Sequence, residues 1–406
     1  MKINTNILAN GIRLIHQEVD SPAAHFGLIL NTGSRDEQPE EQGIAHFIEH
    51  VIFKGTKKRR AFHVLSRIED VGGELNAYTT KEETAVYATF LNEHYSRAME
   101  LVSDIVRNST FPDRELEREK EVIIEEINSY KDSPSELIFD DFDELMFDGH
   151  PIARNILGTP DLVRSFSRTD ILRFIQNNYH TDEMVLSSVG NISFERFRYL
   201  AEKFFGEIES KTRRHQREPF LKYTPGIKRV GMDTFQTHCV IGNIAYSAQD
   251  EKRMGMVLLN SILGGQSMTS RLNLSLREHN GMAYNVESSY NAFTDTGQFN
   301  VYFGTDKENL DRAIRLVKKE FRLIRENRLG SLQLSKAKKQ LIGQLAISSE
   351  NRDDLMLTLG KSFLLYNKVD SLPEIYKRIE SITDSLLLEI ANEVLPDDAQ
   401  SILIYE

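Results

Sequence analysis

Apolar residues recur in two rhythms along this chain. Ile12–Gln17 and Ala24–Asn31 alternate or run apolar over strand length, and Asn10-Gly11 before them is a hairpin turn signal after Ile7-Leu8. Polar Gly33–Gln42 leads into Ile44–Phe53, which is apolar almost all round and ends near Lys54-Gly55-Thr56. An all-round apolar helix is a buried helix. Ala61–Val71 reads as a short helix closed by Gly72-Gly73. Glu74–Thr80 and Thr84–Leu91 alternate as strands around a charged turn. The 3.6-residue period then returns over Glu93–Asn108, Asp113–Lys131 and Pro134–Phe147. A loop from Asp148 to Pro160 precedes a helix near Asp161–Asn178, the strand Met184–Val189 and the helix Ser193–Phe204.

After the polar, basic stretch Ser210–Tyr223, which reads as a linker or solvated segment, the pattern repeats. Gly226-Ile227-Lys228 echoes Gly11-Ile12-Arg13, and Cys239–Ala245 echoes Phe26–Leu30. Met256–Gly264 stands where Ile44–Phe53 stood. A short helix, the strands Ala283–Ala292 and Gln298–Gly304, and helices from Asn309, Ser331 and Asn351 follow in the same order. An internal duplication of about 210 residues is the economical reading. It predicts an α+β fold of two homologous α/β sandwich domains, mainly antiparallel sheet packed with helices. The domains are expected at residues 1–209 and 224–406, with a linker at 210–223.

The first buried helix carries the chemistry. His46, Glu49, His50 and Phe53 fall within a stripe roughly 100° wide, so two imidazoles one turn apart can face one metal ion with a carboxylate beside them. This is the H-x-x-E-H order. Counted 211 residues on, His46, Glu49 and His50 become Val257, Asn260 and Ser261, so the second half keeps the scaffold without the ligands. A catalytic zinc site uses three protein ligands. Within Glu115–Tyr130, the apolar face is Leu116, Ile123, Ile127 and Tyr130. Glu126 and Glu119 lie at its edge, within roughly 70° of its centre, whereas Glu117, Glu121 and Glu125 point away. Glu126 is therefore the better third ligand, and Glu119 suits a supporting role or an alternative ligand.

These motifs together resemble the inverzincin peptidases, the family of pitrilysin, insulin-degrading enzyme and mitochondrial processing peptidase. The resemblance spans the chain. It is carried by Gly43–Thr56, by Gly72-Gly73-Glu74-Leu75-Asn76-Ala77-Tyr78-Thr79-Thr80 and by Glu119–Ile127, with Glu126 at 76 residues after His50. It implies one zinc ion per chain held by His46, His50 and Glu126, with Glu49 as general base and Glu119 as an acidic neighbour behind the site. It implies that Asn76 and Ala77 lie on an edge strand to which substrate peptide adds. Leu276-Arg277-Glu278 and Ala283-Tyr284-Asn285-Val286 match the family's Arg…Tyr pair, so Arg277 and Tyr284 are implied to hold the substrate carbonyl. Read from the residues alone, both would be ordinary. Family enzymes enclose a chamber with four such domains. This chain has two, half a clam shell, so a homodimer is expected, and a heterodimer with a metal-free sister chain is the other arrangement.

Composition narrows the partners. The 406 residues are 40% hydrophobic and 27% charged, with a net charge of −11, which disfavours nucleic acid and anionic membrane. The single cysteine, Cys239, excludes an intrachain disulfide framework. Met1–Asn6 shows no signal-peptide pattern and no apolar run reaches membrane length, so a cytoplasmic location is expected. The reading is a zinc endopeptidase acting on extended peptides. The alternatives are a catalytically silent or partner-dependent subunit of a heterodimeric processing peptidase, and a metal hydrolase acting on a non-peptide substrate.

Overall fold

The computed structural model describes residues 3–213 and 215–406; Met1 and Lys2 of the N-terminal stretch and Arg214 of the basic segment lie outside them. The first half runs β1 (Ile3–Ile7), β2 (Arg13–Glu18), β3 (Ala23–Leu30), α1 (Ile44–Val51), α2 (Ala61–Glu69), β4 (Glu74–Thr79), β5 (Thr84–Leu91), α3 (Tyr95–Asn108), α4 (Asp113–Lys131), α5 (Pro134–Met146), α6 (Pro160–Ser165), α7 (Arg168–Asn178), β6 (Met184–Gly190) and α8 (Phe194–Phe205). The second runs β7 (Ile227–Val230), β8 (Thr237–Ala245), α9 (Arg253–Gly264), a π-helical turn (Asn273–Glu278), β9 (Ala283–Ala292), β10 (Gly297–Thr305), α10 (Leu310–Glu326), α11 (Ser331–Ser348), α12 (Arg352–Tyr366), α13 (Leu372–Ser381), α14 (Asp384–Val394) and β11 (Ser401–Tyr405).

The duplication holds strand for strand. One sheet has the order β1-β2-β6-β3-β5-β4 and the other β7-β11-β8-β10-β9. Dropping β1 superposes the two orders. The parallel pair also recurs, β2 with β6 and β7 with β11, while the other pairings are antiparallel. The fold is thus mixed α/β with two sheets packed against helices.

The compact units are not the two contiguous halves. One comprises residues 1–128, 154–218 and 348–369, and the other residues 129–153, 219–347 and 370–406. The difference is one helix in each direction. Met356, Leu359, Phe363 and Leu364 of α12 pack on Ile15, Ile29, Val185 and Val189 of the first sheet. Ile138, Phe142 and Met146 of α5 pack on Val240, Leu403 and Tyr405 of the second. Each helix buries its apolar stripe where a sheet face is bare. Polar contacts fix α12 in place. Arg13 donates from Nη1 to the carbonyls of Phe363 at 3.0 Å and Leu364 at 3.1 Å, neutralising the helix C-terminus.

Two local expectations change. The single helix expected over Asp161–Asn178 is two, because Ser167 leaves the helical path and forms a capping box with Asp170 that restarts the chain as α7. In the basic segment, expected to be a linker or solvated, most described residues are exposed, but two arginines dock. Arg217 is largely buried and reaches Asp36 Oδ2 at 2.7 Å, and Arg213 reaches Asp36 Oδ1 at 2.5 Å. Burial opposes charge on Asp36, but Arg217 and Arg213 hold its carboxyl below the usual range. Among the described residues, no helix is long and apolar enough to cross a membrane.

Candidate metal centre

Helix α1 starts at Gly43, whose φ of +96° lies in the left-handed region. The backbone there touches the loop after α5. A Cβ on Gly43 would lie 2.7 Å from the Leu157 carbonyl oxygen and 2.8 Å from Gly158 Cα. The amides of the first turn, which have no partner within the helix, meet a buried carboxylate. Glu37 Oε2 accepts from Gly43 N–H at 3.0 Å and Oε1 from Ala45 N–H at 2.9 Å. Burial pushes the Glu37 carboxyl up to about 8, against those two amides and the nearby Arg154. Glycine is therefore required at 43 by both dihedral and space. Gly43→Ala is expected to cost about 2 kcal/mol or more, read as a thermal midpoint lower by roughly 4–8 °C and a reduced metal content.

Ile44, Phe47, Ile48 and Val51 bury the rest of α1 in the core. The stripe left over faces α4. His46 is buried and His50 and Glu49 are half-buried. The two imidazole centroids are 4.6 Å apart. Glu126 Oε2 lies 3.8 Å from His46 Nε2 and 3.4 Å from His50 Nε2. One donor atom from each of His46, His50 and Glu126 falls within 4.8 Å of the other two, the one such grouping among the described residues. Glu117, Glu121 and Glu125 on the same helix are exposed.

Glu119 is buried behind this trio. Its Oε1 lies 3.6 Å from His50 Nδ1, and its Oε2 takes the Lys54 ammonium at 2.6 Å. Lys54 and His50 hold the Glu119 carboxyl below its ordinary range, although burial works the other way. Lys54 went unremarked as a site residue in the sequence, yet it stands four positions after His50, the spacing that places it on the same side of the chain. Glu37 offered no such signal, because its role is set by a loop that folds back onto α1.

The imidazoles differ electrostatically. Burial and the neighbouring His50 push His46 down to about 4. Burial would lower His50 too, but hydrogen bonds to Glu119 and Glu126 raise it to about 9. Burial lifts the Glu49 carboxyl above its ordinary range, with Thr79 and His50 pulling the other way.

Asn76 and Ala77 lie on β4, which pairs through them with Tyr87 and Val86 of β5. Strand β4 ends its sheet, so its other side is an open edge among the described residues. Arg277 and Tyr284 are in the second unit. They meet each other there, with the Arg277 guanidinium carbon 5.4 Å from the Tyr284 ring centroid and Tyr284 itself 82% exposed. His150 is structural, its Nδ1 accepting from Ile152 N–H at 3.2 Å.

Comparison with known proteins shows the family of the chain. The family described as Insulinase (Peptidase family M16) matches residues 14–160, and the Peptidase M16 inactive domain matches residues 165–341. The uncharacterized zinc protease YmxG of Bacillus subtilis is 32% identical over 97% of this chain and 96% of its own. The chain belongs to peptidase family M16. Another M16 relative, the beta subunit of the mitochondrial-processing peptidase of Bos taurus, is 28% identical over 97% of this chain and 82% of its own. Two solved structures share the M16 fold. One, of a peptidase M16 inactive domain from Pseudomonas fluorescens, has a TM-score of 0.93 at 20% identity and covers 100% of this chain and 98% of its own. The other, a protease from Helicobacter pylori, has a TM-score of 0.91 at 20% identity and covers 100% and 99%.

Proposed function

We propose that this chain is a zinc-dependent endopeptidase for extended or unfolded peptides. The observation that carries the reading is the convergence of His46, His50 and Glu126, two nitrogen donors and one carboxylate, within 4.8 Å. That donor set fits zinc, which accepts imidazole and carboxylate and in catalytic sites takes three protein ligands. The fit is supported by Glu126 Oε2, which faces Nε2 of both imidazoles, at 3.8 Å from His46 and 3.4 Å from His50. When bound, zinc supplies Lewis acidity toward the scissile carbonyl and lowers the pKa of water.

The chain's own groups do the rest. Glu49 takes the proton of the attacking water and later passes it to the leaving amine. Glu119, anchored by Lys54, orients His50 from behind. The open edge of β4 pairs with the substrate backbone at Asn76 and Ala77, so side-chain specificity is loose. Arg277 and Tyr284 donate to the carbonyl oxygen as negative charge develops on it. In a homodimer each copy lends that pair to its partner's centre. Because one chain carries both sets, the homodimer is preferred over a heterodimer with a metal-free sister.

The test is cleavage of a quenched, unstructured peptide of about twenty residues, before and after chelation. Activity that disappears with the metal and returns on adding zinc supports the reading. A zinc-loaded, dimeric chain without activity overturns it, and a monomeric mass at micromolar concentration overturns the homodimer.

A further inference from the structure

The second unit repeats the first but holds a cavity where the first holds its cluster of ionisable groups. Helix α9 occupies the place of α1, and α11 is the second helix after its strand pair, as α4 is in the first unit. Between α9, the π-helical turn, α10 and α11 lies a space of about 700 Å³. That volume is in the range of small-ligand pockets. Ser261, which takes the place of His50 in the repeat, lines it.

The lining has changed sign. Helix α11 turns Gln333, Lys336, Ala337 and Gln340 to the cavity, positions spaced i, i+3, i+4 and i+7 on one face. None is acidic, whereas the corresponding face of α4 carries Glu119 and Glu126. The one carboxylate in the lining, Glu320, is already bound by Arg271 at 2.9 Å. Lys336 has no carboxylate partner among the described residues. Lys336 and Gln333 are exposed, so the cavity carries its surplus cation on the open side, in a chain whose net charge is −11. A phosphate or a nucleic acid would call for more than one free cation, and among the described residues no cluster of metal-ligating groups lies here. Leu274 and Leu329 add apolar wall, and the glutamine amides match peptide groups in both donor and acceptor capacity.

We propose that this cavity binds a short peptide segment through a carboxylate, with Lys336 as its counter-ion and the α11 face as its wall. The carboxylate is the chain's C-terminus or an acidic side chain. The residues that line the site include none of the groups assigned to hydrolysis, Arg277 and Tyr284 among them, so it stands whether or not the peptidase reading does.

The experiment uses the full zinc-loaded chain carrying Glu49→Gln, so that the probe is not cleaved. Dye-labelled tetrapeptides with a free C-terminus, with an amidated C-terminus, and amidated with an internal glutamate are titrated by fluorescence anisotropy. The free acid should bind roughly tenfold more tightly than the plain amide, as one charge-assisted hydrogen bond allows. Lys336→Gln should remove most of that preference, and Ala337→Phe, which fills the cavity, should weaken acid and amide alike. If the glutamate peptide matches the free acid, a side chain suffices as the carboxylate; if it matches the amide, the terminus is read. The preference should survive in the metal-free His50→Ala chain, which separates this cavity from capture of a carboxylate by zinc. Equal affinity for acid and amide, or a preference untouched by Lys336→Gln, overturns the proposal.

Discussion

Glu49→Gln is expected to lower the rate of peptide hydrolysis by about 10²–10⁴ while leaving the zinc content unchanged. The position argues for the split. Glu49 lies between the two histidines in the sequence of α1, but the grouped donors are His46, His50 and Glu126, so its carboxylate, held by Thr79, is left for proton transfer. Its burial raises the carboxyl above its ordinary range, bringing it nearer the pH at which it must both accept and return a proton. Glutamine keeps the volume and an acceptor oxygen but cannot take the proton. The measurement is kcat on a quenched peptide beside metal analysis of the same preparation. A variant as fast as the parent would move the chemistry away from Glu49. A variant that loses metal would make it a ligand instead. His50→Ala makes the contrast, since it should lose metal and activity together.

The site was legible because a buried helix cannot carry three ionisable groups without a reason, and because helical phase separates Glu126 from Glu125. In the structure Glu126 turns toward α1 and Glu125 toward solvent. What sequence could not show is what crosses long separations. Asp36 recruits Arg213 and Arg217 from 177 and 181 residues away, so two arginines of a run that is otherwise mostly exposed join an ion-pair cluster. The helices α5 and α12 have apolar stripes in plain view, but nothing in a stripe says which sheet receives it. The break before α7 was in reach, since Ser167 and Asp170 have capping-box spacing, and the surrounding helical period outweighed it. Helices α13 and α14 and the strand β11 had no counterpart in the expectation. Five residues, Ser401–Tyr405, become a strand because β7 and β8 lie on either side of them.

Duplication explains how one scaffold serves two ends. The strand order and the parallel pair are common to both units, so the demands of packing are met twice over. What differs at the site is the set of residues where α1 faces α4 and α9 faces α11. Those positions contribute little to the sheet, and their side chains can be exchanged without rebuilding it. Loss of imidazoles and carboxylates in the second unit therefore leaves a fold intact and a space open.

Zinc binding near pH 7 is expected to release close to one proton, and the apparent affinity to fall about tenfold per pH unit from pH 8 to pH 6. The sign follows from the metal-free centre. His50 is raised to about 9 by Glu119 and Glu126, so at pH 7 it carries a proton that a ligand nitrogen must give up. His46, held near 4 by burial and by His50, is already neutral, and the carboxyls of Glu119 and Glu126, both lowered, are already ionised. One group therefore accounts for the release. Stability of the metal-free chain should run oppositely to affinity. A histidine whose folded value is raised from 6.5 to about 9 contributes stability that is complete below pH 6.5 and is lost as pH rises through 9. The gap in thermal midpoint between zinc-loaded and metal-free chain should thus widen from pH 6 to pH 8. Calorimetric titration in two buffers of different ionisation enthalpy counts the proton, and chelator competition at pH 6, 7 and 8 gives the slope. No proton and no slope would mean that His50 is neutral before the metal arrives, and that the acidic pair behind it orients the ring without holding its charge.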